Sequence, residues 1–107
     1  MPVSVWNSEL EIGYTQKTTF WMDFSIADNF GQDAVRDTYN RAFKMWKDSV
    51  IYLTELVLVL NRKCWQWNDD GNAALSDLYS DLFYKTQAYA YENLKGADLD
   101  YFWRTTD

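Results

Sequence analysis

A chain of 107 residues carrying six Trp, eight Tyr and six Phe, but no histidine and a single cysteine, is rich in the side chains that supply packing and interface energy. It lacks the imidazole most enzymes use to move protons or bind metal near neutral pH, and one cysteine permits no internal disulfide. The formal net charge of −6 opposes attraction of the whole molecule to nucleic-acid phosphates or anionic lipid.

The first sixteen residues alternate apolar and polar at Val3/Val5 and Leu10/Ile12/Tyr14. That pattern predicts an extended segment or short β-ribbon, an N-terminal extension to the domain. No basic stretch leads into an apolar one there, so no secretory signal is expected, and the expected location is cytoplasmic. Thr18-Thr19 then suits the cap of a short helix over about 19–30, whose apolar residues Phe20, Trp21, Met22, Phe24, Ile26 and Ala27 lie nearly all round and need cover on most faces.

Between Gly31 and Gly71 there is neither Gly nor Pro. Val35, Tyr39, Ala42, Trp46, Val50, Leu53, Val57, Leu60, Cys64 and Trp67 recur three or four apart, which predicts a long helix over about 33–67. Asp33 suits its N-cap or first turn, and Asn68-Asp69-Asp70-Gly71 stops it. A straight rod of that length would measure roughly 50 Å at the helical rise per residue. Asp48-Ser49 is a second capping signal inside it, but the unbroken phase favours a continuous rod or one bent near 48.

The same stretch fits a heptad at 35, 39, 42, 46, 49, 53, 56, 60, 63 and 67, broken only by Ser49 and Lys63. The seam is expected to be a core face, although a rod so long leaves room for a homodimer. Asn72 caps the next helix, over 72–95, with Leu75, Leu78, Tyr79, Leu82, Phe83, Tyr89, Ala90 and Leu94 on one side and Gly96 as its C′ residue. The short connection makes it an antiparallel hairpin partner. A last short helix over 97–104 docks through Leu99, Phe102 and Trp103. The expectation is therefore one all-α domain over residues 1–107. No run reaches the roughly 18 apolar residues of a membrane span, so no membrane partner is expected.

Ser-His and Cys-His nucleophilic chemistry is excluded in its usual form. Arg62 and Lys63 are the cations nearest Cys64 in the chain, but adjacent helical positions point to different faces, so neither is placed to activate the thiol, which is expected to be a small buried hydrophobe. Asp33/Asp37 and Asp77/Asp81 each put two carboxylates on one helix face, a set that Mg²⁺ would accept. The chain has no Glu-x-x-Glu or Glu-x-x-His pattern, no glycine-rich phosphate loop and no zinc spacing. No metal, cofactor or catalytic residue is assigned, and the protein is expected not to be an enzyme.

Asp77 and Asp81 lie off the apolar stripe of their helix, with Tyr84 and Tyr91 farther along the same side. Acids beside exposed tyrosines suit a protein-contact face, so these four are the candidate protein-binding residues. Arg36, Arg41, Lys44 and Lys47 form the best nucleic-acid footprint. Asp33, Asp37 and Asp48 offset it and no helix-turn-helix signature accompanies it, so direct nucleic-acid binding is not expected.

Three strings, Thr18-Thr19-Phe20-Trp21-Met22-Asp23-Phe24-Ser25-Ile26-Ala27-Asp28 with Phe30-Gly31, Tyr52-Leu53-Thr54-Glu55-Leu56-Val57, and Tyr101-Phe102-Trp103-Arg104-Thr105-Thr106-Asp107, resemble a family of small uncharacterised acidic proteins associated with plasmids and integrative elements of gut Firmicutes. The resemblance spans roughly residues 17–107 and carries no established activity; it implies a setting. Small acidic proteins of mobile elements often act against host defence, as anti-CRISPR or anti-restriction factors. The reading is a non-enzymatic, protein-binding accessory or inhibitory protein whose partner is a host defence nuclease complex. Two alternatives stay open: a nucleic-acid-associated regulator using the basic helix face, and a metal-dependent hydrolase using the paired aspartates.

Overall fold

Lys47, Asp48 and Ser49 break the long amphipathic stretch into two helices. Lys47 N–H still donates to the Phe43 carbonyl at 2.9 Å, and Ser49 N–H to that of Trp46 at 3.1 Å. Ser49 itself turns extended, at φ −110° and ψ 115°, and its side chain accepts from the Tyr52 N–H. The computed structural model describes residues 11–106, with side chains from 20 onward. Its elements are α1 (Glu11–Asp28), α2 (Gln32–Trp46), α3 (Val50–Asp69), α4 (Ala73–Asn93) and α5 (Gly96–Thr106), with no strand among the described residues.

The single rod expected over 33–67 is thus two rods. The second capping signal prevails because folding back lets α2 share its apolar stripe with α1, α3 and α4. Trp46 sits edge-on to Phe20 of α1 at 4.7 Å and to Tyr52 of α3 at 5.8 Å. A straight helix would leave those rings in water. The described residues measure 36 × 36 × 24 Å, shorter in every direction than the roughly 50 Å of a straight rod over 33–67.

A second difference lies at the start. Residues 11–16 are helical, so the extended segment expected over 1–16 is overturned there; the Val3/Val5 portion lies outside the described residues. Two or three alternating apolar residues cannot distinguish a strand from a helix face. Thr18 and Thr19 are accordingly interior to α1 rather than its cap. Gly31, at φ 109°, makes the turn into α2, with its N–H on the Ala27 carbonyl at 3.2 Å; Asp33 takes the first-turn position.

The α3–α4 hairpin matches its expectation. Asn72 caps α4 by accepting from Leu75 N–H at 3.1 Å. Gly71 adopts φ 78°, a left-handed turn that favours glycine. At the far end α4 stops at Asn93 with Leu94 extended, so Gly96, at φ 58°, opens α5 instead of closing α4.

Helix α3 is the hub. Leu53, Leu56, Val57 and Leu60 are wholly buried, and all four other helices pack on it. Phe20 and Phe24 of α1, Val35 and Tyr39 of α2 and Tyr79 of α4 close one core with Leu56 and Leu60. Phe102 of α5 closes the other, with Leu53, Val57 and Ala90. The heptad seam is consumed inside the chain: every position in it from Val35 to Trp67 is buried or half-buried.

Lys63, the charged residue in that seam, is 1% exposed. Its Nζ donates to Ser25 Oγ at 2.7 Å and Asp28 Oδ2 at 3.0 Å and lies 4.3 Å from the centroid of Trp21. Asp28 also accepts from Trp67 Nε1 at 3.1 Å and from the Tyr79 hydroxyl at 2.5 Å. Burial of the phenol, its bond to Asp28 and the charge of that carboxylate together hold Tyr79 far above the ordinary tyrosine range. Elsewhere, Thr86 gives its hydroxyl proton to the Leu82 carbonyl at 2.8 Å, so Tyr39, 2.7 Å away, donates to Thr86. Burial raises Tyr39 too.

Candidate functional site

On α4, Asp77, Ser80 and Tyr84 follow one another at i, i+3 and i+7, so a single face carries them, with Asp81 alongside. On α3, Asn61 and Trp65 are one turn apart. The hairpin register is fixed where Ser76 Oγ donates to the Cys64 carbonyl at 3.1 Å and lies 3.7 Å from its Sγ. With the helices antiparallel, that register brings the two faces together. Between them runs a cleft of about 170 Å³ lined by Asn61, Cys64, Trp65, Ser80, Phe83 and Tyr84.

The rim of this cleft is aromatic and open to solvent: Trp65 is 59% exposed and Tyr84 62%. Phe83 is half-buried, and so is Cys64, which was expected to be fully enclosed; the short side chain of Ser76 opposite leaves the thiol at the cleft wall. Asp77 and Asp81 are exposed, and neither is in an ion pair among the described residues.

The four residues singled out as a protein-binding face do not stay together. Asp77, Asp81 and Tyr84 share the open face. Tyr91 instead belongs to the junction with α5, where it stacks on Trp103 at 5.2 Å and 15° and meets Phe102 edge-on at 6.1 Å. Trp65 and Asn61 complete the cleft from α3, and sequence reasoning missed both. The available signal was that Trp65 stands off the apolar stripe, between Cys64 and Trp67, where a ring has no core to enter.

The basic residues of α2 are all exposed. Arg36 pairs with Asp33 at 3.4 Å and Arg41 with Asp37 at 3.9 Å, which leaves Lys44 and Lys47 outside these pairs. Those contacts also occupy Asp33 and Asp37, one of the two carboxylate pairs weighed for metal. No group of three or more His, Cys, Asp or Glu able to hold a metal ion forms among the described residues. Nor is any described helix long and apolar enough to cross a membrane.

A second open surface follows α1, where Met22, Ile26 and Phe30 are 55%, 56% and 77% exposed. Ile26 and Phe30 border a groove of about 210 Å³ against Ala34, Asp37 and Arg41 of α2. Comparison of the chain with protein-family models, with curated proteins and with solved structures returns no match.

Proposed function

We propose that this protein is a non-enzymatic binder of another protein and that it engages its partner through the α3–α4 face. Trp65 and Tyr84 carry this reading: two large rings more than half exposed on either side of one cleft, on a face that also carries Asp77 and Asp81, neither in an ion pair among the described residues. Aromatic anchors ringed by polar groups are the usual composition of a contact surface.

The family resemblance suggests the setting, an accessory or inhibitory protein of a mobile element working in the cytoplasm. An acidic, aromatic face suits the basic channel by which a host defence nuclease holds its substrate, which makes an anti-CRISPR or anti-restriction role the specific form of the proposal. Capture of a nuclease complex from host lysate by the purified chain tests it. The expected result is capture that is lost with Asp77→Lys plus Asp81→Lys and kept with Lys44→Glu plus Lys47→Glu. The reverse dependence would move the site to α2 and overturn the assignment.

A further inference from the structure

We propose that the α3–α4 cleft receives an arginine side chain from a basic segment of the partner protein. This rests on the reading of that face as a protein-binding surface and adds the chemistry it selects. The cleft, about 170 Å³, falls well below the roughly 300–1,000 Å³ of small-molecule pockets; it is scaled to one side chain. Its rim offers two rings, Trp65 and Tyr84, 59% and 62% exposed. A flat, weakly hydrated guanidinium stacks on such faces more favourably than a compact, strongly hydrated ammonium.

Charge points the same way. Asp77 is on the α4 face of Ser80 and Tyr84, with Asp81 one turn on, and the ion pairs among the described residues lie elsewhere: Arg36–Asp33, Arg41–Asp37, Lys63–Asp28 and Arg104–Asp100. A carboxylate beside a stacked guanidinium accepts two parallel N–H bonds, a geometry lysine cannot match. The aliphatic stem of arginine would lie on Phe83, which is half-buried at the cleft wall.

The test uses the full chain labelled with ¹⁵N and three synthetic peptides, identical except for a central arginine, lysine or citrulline in a basic flank. The arginine peptide is expected to shift the Trp65 indole N–H and the Asn61, Ser80 and Tyr84 amides saturably, with the citrulline peptide weaker by about tenfold or more. Trp65→Ala should abolish the Asn61, Ser80 and Tyr84 shifts, and separately Asp77→Asn with Asp81→Asn should abolish all of them, while Asp98→Asn should not. Equal affinity for arginine and lysine peptides, no saturable shift, or shifts spread alike over Asp69, Asp70 and Asp98 would overturn the inference. If Asp77 and Asp81 still govern capture from lysate while the arginine peptide leaves the cleft unmoved, the arginine assignment falls and the protein-binding reading stands. If capture ignores those carboxylates, the reading itself falls.

Discussion

Asp28 at the end of α1 and Lys63 in α3 form an ion pair 3.0 Å long with 4% and 1% of their side chains exposed. Three donors converge on the carboxylate, from Lys63, Trp67 and Tyr79, so each polar group of this cluster has a partner. Such a pair contributes little net stability, because desolvation offsets attraction, yet removing one member leaves an uncompensated charge. Asp28→Ala should therefore cost about 3–5 kcal/mol in urea unfolding. Lys63→Met should cost less, since Trp67 and Tyr79 still donate to Asp28. Equal losses would mean that the two added donors contribute nothing.

Alkaline pH should unfold the protein through Tyr79 and Tyr39. Both phenols are held above their ordinary value of 10.0, so above that pH the unfolded chain gives up protons that the folded one keeps. Stability contributed by these groups is fully present below pH 10 and falls as pH rises beyond it toward each folded-state value, by up to about 1.4 kcal/mol per pH unit for Tyr79, with Tyr39 adding in the same direction. Tyr79→Phe should lower stability at neutral pH by leaving Asp28 one donor short, while flattening the alkaline limb. Urea titrations at several pH values read both effects; an unchanged alkaline slope in the variant would refute the assignment.

Ser49 decides where one helix ends and the next begins. Its cap on Tyr52 N–H, at 3.3 Å, should make Ser49→Ala cost about 1 kcal/mol. Ser49→Asp should preserve most of that stability. Chemical denaturation of the three chains checks the ordering.

Tyr84 and Tyr91 looked equivalent in the sequence and should behave oppositely. Tyr84→Ala removes an exposed ring and should change stability by no more than about 0.5 kcal/mol while weakening partner capture. Tyr91→Ala breaks the contacts with Trp103 and Phe102 and should cost about 1 kcal/mol or more. Thermal melts paired with capture assays separate the two.

The all-α class, the hairpin at 68–72 and the Asn72 cap were legible because each rests on local chemistry: periodicity, a capping amide and a glycine able to take positive φ. The break at Ser49 was legible as a signal but not as an outcome, since whether α2 continues α3 depends on what Phe20 offers Trp46 across the fold. Lys63 marked an irregularity in the apolar seam, but its partner lies 35 residues away and no spacing rule connects them. The candidate face was half legible. Asp77, Asp81 and Tyr84 follow from α4 alone, whereas Trp65 joins them only through the hairpin register, and Tyr91 leaves them because α5 folds back.

The hydroxyl relay from Tyr39 through Thr86 to the Leu82 carbonyl runs one way, because a threonine has a single proton to give. Damage to it should be lopsided. Tyr39→Phe deletes the first donor and leaves Thr86 still satisfied, whereas Thr86→Val keeps the shape of the side chain but strands a phenol in a dry interior. The smaller edit, at the middle of the chain, is the one this protein should tolerate worse.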